Sequence, residues 1–418
     1  MTLIAPDRTK QSRTGATIRT STRKRVTTLR VLGTSVTLNE EIRIRAEQDL
    51  GLHLKFVIQD GVSAQRQAVQ APDSFDVYDQ WFHNLDFVWP ARSLQAVETS
   101  RIDAWAEVGP LVKTGRLTPD APFGAGSNPA SRLYVQPDGT LGGYPTAQLS
   151  MLPVTHSADS FGYVPEHLPD ELMDAPESWA WLLHPQFRRY AALQDDSSIG
   201  AIDAALAVQA AGLDRFANLG DLGVEEIDRL MGLLQGFRRR GHFAGFWSTV
   251  QESADLMTDG RVRIQSLWAP AAQYLRQRQV SFRVAAPKEG YRAWYGGMAL
   301  SRTCTGRTLD AAYRYLNWWL SGWPGAVMAR QGYFLSVPDP VREHLSAGEW
   351  DYWYAGKPAP AALYGVNGET LVRSGEIHSG GSYENRMGRV AVWNSAMSEH
   401  NYLVRRWSEF CRGVGDTR

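Results

Sequence analysis

Between Thr28 and Gln80 the apolar pattern keeps changing its period. Short runs rich in β-branched and aromatic residues occur at 28–33, 54–58 and 75–80. Between them lie two segments with apolar residues at helical spacing, Asn39–Leu50, closed by Gly51, and Ser63–Gln70. Strand, helix, strand, helix and strand within ~50 residues is the rhythm of parallel strands joined by crossover helices. That rhythm predicts an α/β fold and puts two strand ends, Gly33-Thr34-Ser35 and Asp79-Gln80-Trp81, on one edge of a sheet. Ligands of open α/β sheets bind beyond that edge.

The pattern resumes further on. Tyr190–Leu193 leads into Gln194-Asp195-Asp196-Ser197-Ser198-Ile199-Gly200, and strong helix formers follow to Ala211. This predicts a strand, a polar turn and a helix, with Ser197 or Ser198 at the N-cap. Helices are expected at 224–239, 249–258 and 271–278, and strands at 161–164, 261–267 (ending at Trp268), 280–286 and 293–300. Thr155-His156-Ser157-Ala158-Asp159-Ser160 is read as a polar connection. The helix over 309–320 carries Tyr313, Tyr315, Trp318 and Trp319, which are assigned to the core by their spacing. A chain of 418 residues is too long for one simple core and is expected to form two domains, with a third as the alternative.

Composition removes several function classes. Lys+Arg and Asp+Glu both total 44, so no global charge favours nucleic acid or an anionic membrane. No apolar run reaches the ~18 residues that a membrane-spanning helix needs. Phosphate-binding loops, dinucleotide glycine fingerprints, nucleophile elbows and zinc-protease motifs are all missing, and the nine His residues are scattered, so neither cofactor nor metal is expected. Cys304 and Cys411 are read as two thiols rather than a disulfide, and Arg238-Arg239-Arg240 as a solvated helix end. The first thirty residues hold eight Lys/Arg and one Asp. Residues 1–28 read as a basic tail or a degenerate leader, because no apolar segment follows Arg23-Lys24-Arg25.

Several of these features occur in a particular order: Leu193-Gln194-Asp195-Asp196, Leu267-Trp268, Pro287-Lys288-Glu289-Gly290, Trp294, a helix over 312–320, and Gly332-Tyr333. In that order, over roughly 29–340, the chain resembles the spermidine/putrescine-binding branch of the bacterial extracellular solute-binding proteins, which feed ABC importers. The resemblance implies a two-lobed periplasmic-binding-protein fold (type II-like), each lobe a mostly parallel sheet flanked by helices, with a ligand cleft between the lobes. It assigns 29–151 and 292–335 to lobe one, and 152–291 and 336–418 to lobe two. It also implies a periplasmic monomer without catalytic activity, partnered by a permease and an ATPase at the membrane.

By the same resemblance, Asp196 matches an amine-holding carboxylate, and Trp268 and Trp294 match cleft aromatics. Thr34, Ser35, Gln80 and Trp81 match the lobe-one loops that face the ligand, and Ser197, Ser198, His156, Tyr295 and Tyr333 complete the expected ligand set. Asp195 is assigned a cap or structural role. Three positions depart from the family: Ile199 and Gly296 stand where further acids are expected, and Thr34-Ser35 replaces a Trp. A linear polyamine would leave a buried ammonium unpaired, which costs several kcal/mol. The expected solute therefore carries one ammonium on Asp196 and a polar or anionic part on Thr34, Ser35, Ser197, Ser198 or His156. The alternatives are a thiaminase-like enzyme using a cleft Cys, with Cys304 as its candidate, and a sensor that does not transport.

Overall fold

The computed structural model describes residues 26–365 and 368–413, so nearly all of the expected basic tail at 1–28 lies outside the described residues. The first unit follows the predicted rhythm: β1 (Thr28–Gly33), α1 (Glu40–Leu50), β2 (His53–Ile58), α2 (Gly61–Gln70) and β3 (Val77–Trp81). Local chemistry sets the helix limits. The Asn39 side chain accepts from the Ile42 N–H at 2.9 Å, and Gly51 ends α1 in the left-handed region at φ 60°. Asp60 caps α2 in the same way through the Ser63 N–H.

The second unit comprises β5 (Ala191–Gln194), α3 (Gly200–Ala210), α4 (Val224–Arg239), β6 (Phe243–Trp247), α5 (Val250–Thr258), β7 (Ile264–Leu267) and α6 (Ala269–Gln277). Two long strands, β4 (Leu152–Tyr163) and β8 (Tyr291–Ser301), pair antiparallel and join the units. The main sheet runs β6-β5-β7-β4-β8-β3-β1-β2, parallel within each triplet of outer strands. It is completed by α7 (Gly306–Trp319), α8 (Trp323–Arg330), β9 (Val390–Trp393), parallel to β8, and α9 (His400–Arg412).

Three apolar cores support this arrangement. The largest lies on the first unit and includes Tyr313, Tyr315, Trp318 and Trp319 of α7, all buried as expected. The second gathers α3, α4 and α9, and the third packs α5 and α6 against β7.

The structure differs from the expectations at several points. The polar segment 155–160 is no connection but the middle of β4, every residue of which is buried. Its polarity reflects a cleft floor rather than a loop, because the pairing with β8 satisfies its backbone groups. The strand expected at 280–286 shrinks to Arg283–Val284. The segment 336–418, expected in lobe two, is divided by its packing. Tyr352, Trp353, Leu371, Val372 and Trp393 join the first core, whereas Leu403, Trp407 and Phe410 join the second. Arg238 is not simply solvated: its guanidinium donates to the carbonyls of Phe410 and Cys411 at the end of α9.

The turn after β5 also caps differently. Ile199 occupies the N-cap of α3 without a side-chain bond, and Asp196 accepts from the Ser198 N–H at 2.7 Å, while Asp195 stays exposed. The Asp196 side chain thus closes the turn ahead of the helix, and none of Ser197, Ser198 and Asp195 occupies the N-cap. The reason is a tight fold-back, in which a Cβ on Gly200 would sit 1.9 Å from the Gln194 carbonyl and 2.8 Å from Trp407. Gly200→Ala should accordingly destabilise the protein by about 1–3 kcal/mol, the usual range for overpacking. A urea unfolding curve unchanged from wild type would refute this account of the turn.

Candidate functional site

Residues directly opposite on paired antiparallel strands share a face. In the β4–β8 pair, Ser157 faces Trp294 and Asp159 faces Arg292, while His156 faces Tyr295. Ser157, Asp159, Arg292 and Trp294 therefore lie on one face, and His156 and Tyr295 on the other. The β8–β3 register extends this division. Trp81 pairs with Gly296 on the Trp294 face, and Gln80 pairs with Gly297 on the Tyr295 face.

Arg292 is the centre of the first face. It is fully buried; its Nε donates to Asp203 at 2.6 Å, and one terminal nitrogen donates to Asn394 at 3.0 Å and lies 3.7 Å from Asp159. Its other terminal nitrogen has no hydrogen-bond partner. Asp159 also accepts from the Trp294 indole at 3.0 Å, and the Trp294 ring meets Tyr333 edge-on at 5.3 Å. Burial pushes Asp203 up to about 6 against the opposing pull of Arg292, and raises Asp159 for the same reason.

Asp196 belongs to the same neighbourhood. Burial raises its pKa, while the Ser198 bonds and the fields of His400 and Arg292 oppose the rise. The fields of His400 and Arg292 also reach His83, which burial holds down at about 3. The loop after β3 thus approaches the turn after β5 from the other lobe. Phe87 and His400 touch across this gap, with ring centroids 5.0 Å apart. No Lys, Arg or His lies within ion-pair distance of Asp196 among the described residues.

The expected ligand set separates accordingly. Trp268, Trp294 and Tyr333 gather around Asp159: Trp268 stands beside it in a cavity that Gly332 also lines, and meets Trp247 edge-on at 5.1 Å. Trp81 lies half-buried over Gly61 and stacks on His83 at 5.9 Å. Ser197 is buried and Ser198 half-buried in the Asp196 turn. Thr34 is half-buried and Ser35 exposed beyond β1, and no hydrogen bond joins either to Asp196 or Trp294 among the described residues.

Three members point elsewhere. His156 and Tyr295 stack at 4.6 Å on the opposite face, where Tyr295 bonds Ser336 at 2.8 Å and His156 contacts Tyr383 at 3.2 Å. Gln80 is buried on that face and accepts from Asn84 at 3.0 Å. Asp79 is buried under the turn and receives a bond from Thr37 at 2.6 Å.

Sequence reasoning missed Arg292, Asp159 and Asp203. A usable signal existed for the first, because strand alternation puts Arg292 on the same face as Trp294. Asp159 was hidden in a segment read as a connection, and Asp203 in an alanine-rich helix. The two departures also gain a physical reason. A Cβ on Gly296 would approach Thr155 Oγ1 to 2.9 Å and the Trp294 ring to 3.7 Å, so a side chain there would have to displace the Thr155 hydroxyl. Ile199 is buried at the start of α3.

A sequence-family model described as bacterial extracellular solute-binding protein matches residues 59–334. Among solved structures, the spermidine/putrescine ABC transporter substrate-binding protein PotD from Streptococcus pneumoniae is similar, with 13% identity and a TM-score of 0.62 over 92% of this chain and 99% of that one. A putative spermidine/putrescine ABC transporter from Listeria monocytogenes gives 14% identity and 0.62 over 92% and 98%. The periplasmic binding protein MotA from A. tumefaciens B6, in complex with glucopine, gives 12% identity and 0.56 over 92% and 99%. At such identities the likeness is one of fold. No curated protein sequence matches.

Asp203→Ala should leave the Arg292 guanidinium short of its nearest counter-charge and cost about 3–5 kcal/mol, as breaking a buried pair does. Chemical denaturation measures this, and a loss below 1 kcal/mol, roughly that of an exposed pair, would contradict the central role given to the ion pair.

Proposed function

The chain belongs to the bacterial extracellular solute-binding proteins, and from that premise we propose that it captures a small solute with one ammonium group for an ABC importer. In this reading the protein acts in the periplasm as a monomer, and a permease and an ATPase receive the solute from it. Asp196 holds the ammonium, and the indole and phenol rings of Trp81, Trp268, Trp294 and Tyr333 flank the uncharged part. Flat rings suit that part, and their faces also attract a cation.

The single observation that carries the reading is the contrast between carboxylates on the cleft side. Asp203 and Asp159 already serve Arg292, and Asp79 is tied to Thr37. Asp196 alone of these four is both half-open to solvent and uncommitted beyond its own turn. One available carboxylate suits one ammonium. The two further acids that a polyamine would need are replaced by a buried Ile199 and by Gly296, where a Cβ would crowd the Thr155 hydroxyl.

Among the similar structures, two carry spermidine/putrescine in their names, one is described as a GABA receptor, and one holds glucopine. The enzyme alternative loses support from the position of Cys304. It is buried near Arg30 and Asp76, at the start of β1 and away from the strand ends that carry the cleft, and burial pushes its thiol up to about 12. A nucleophilic thiol needs the opposite shift.

Titration calorimetry with single amines, amino acids, putrescine and spermidine tests the proposal. Single-amine solutes should bind more tightly than either polyamine, and Asp196→Asn should weaken that binding by at least about tenfold, the loss expected for a charged contact. Binding needs the ionised carboxylate. Because burial raises the Asp196 pKa, affinity should be full at neutral pH and fall on acidification before a free carboxylate would titrate. The Asn variant should flatten that profile. Tight binding of spermidine, or an unchanged affinity in the Asn variant, would sink the single-amine reading.

A further inference from the structure

The cavity that Asp159, Trp268 and Gly332 line carries, on its other walls, chemistry opposite to that of Asp196. Besides those three residues it is lined by Trp353, His378, Ser379 and Arg386. Arg386 is 3% exposed, and its three nitrogens donate to neutral carbonyls only: Gly381 at 3.1 Å, Ala158 at 3.3 Å and Ser379 at 2.8 Å. No carboxylate lies within ion-pair distance of it among the described residues. The nearest acid that acts on it electrostatically, Asp159, is already shared by Arg292 and the Trp294 indole. A guanidinium has five N–H donors, so two remain for a partner. Burying a cation without an adjacent counter-charge is costly.

Two neighbours in the same cavity are also unsatisfied. The Trp353 indole nitrogen, in a side chain 4% exposed, has no hydrogen-bond partner, and neither has Nδ1 of His378, 8% exposed. An indole N–H only donates, so its missing partner is an acceptor. Trp353, His378 and Arg386 all come from the part of the chain beyond residues 59–334, which the family model does not reach.

We infer that this cavity is a subsite for an anionic group, carboxylate or phosphate, of the captured solute. Arg386 and Trp353 supply the donors. The solute is then a zwitterion, with its ammonium at Asp196 and its anion at Arg386. This places the anionic part elsewhere than at the expected Thr34, Ser35, serines after Asp196 or His156. The inference rests on the single-amine reading for the far end of the solute only.

His378 adds a dependence on pH. Burial and the fields of Arg386 and Arg276 hold its ring neutral, with Tyr352 and Trp353 packed against it and Asp159 also on the cavity wall. A bare Nδ1 offers only an acceptor, so an anion arriving beside it favours the protonated ring. Anion binding should therefore take up a proton and strengthen as pH falls, opposite in sign to the effect of Asp196.

The test uses matched pairs on the full chain: 4-aminobutanoate against 4-aminobutanamide, phosphoethanolamine against ethanolamine, and inorganic phosphate or acetate alone. In at least one pair the anionic member should bind about tenfold or more tightly than its neutral counterpart, and the pair that discriminates identifies the anion. Trp353→Phe, which keeps the ring and removes the donor, and Arg386→Lys should each bring that ratio towards one. Asp196→Asn should weaken both members and preserve the ratio. Equal binding within both pairs, or a ratio that survives both cavity variants, overturns the subsite. If no amine binds, the amine reading fails by itself. A response of the wild-type protein to phosphate or acetate that Trp353→Phe abolishes then still supports the subsite, and no response overturns it.

Discussion

The site depends on one buried guanidinium. Arg292 sits on a strand that belongs to both lobes, yet its partners, Asp203 and Asn394, come from lobe two and from the C-terminal segment. Full burial of the charge is tolerable because Asp203 at 2.6 Å and Asp159 at 3.7 Å surround it. The arrangement then dictates its surroundings. Asp159 must stay in the middle of β4, which keeps that strand polar on one face, and α3 must begin close enough for Asp203 to reach β8. The fold-back at Gly200, with no space for a Cβ, is how the chain meets the last requirement.

Much of this was legible in the sequence. The parallel strands and crossover helices around α1 and α2 followed from periodicity and from Asn39, Gly51 and Asp60, because these caps act within four residues. Trp268, Trp294 and Tyr333 were picked out by their order along the chain, and the structure does bring them together around Asp159. What failed has a common cause. Residues 155–160, Arg292 and Asp203 obtain their meaning from partners more than forty residues away, and no local pattern records such a pairing. A buried polar strand therefore looks like a loop, and a buried arginine on it looks like a surface one.

The resemblance was informative in a different way from what its motif suggested. Pro287-Lys288-Glu289-Gly290 does not line the cleft cavity. Glu289 accepts from the Ser178 hydroxyl at 2.5 Å and the Trp179 N–H at 3.2 Å, and Gly290 takes φ 96° where a Cβ would meet the Arg389 carbonyl at 2.3 Å. The motif is a joint that delivers the chain into β8 with Arg292 and Trp294 on the cleft face. A shared joint preserves the frame of the cleft and leaves the cargo to be set by the residues that differ.

Those differing residues form a consistent set. In the proposed reading, Ile199 and Gly296 leave fewer acids for a cation, and Arg386 with Trp353, from beyond the family-matched segment, supplies donors for an anion. Either change alone would be awkward. A cleft with fewer acids and no new donors would bind polyamines poorly and offer nothing in return. A buried Arg386 with no anion to receive would keep an unpaired charge at a cost. Together, in the proposed reading, they leave one carboxylate at Asp196 and one guanidinium at Arg386 outside any ion pair among the described residues, and a site that needs both charges discriminates against solutes that carry only one.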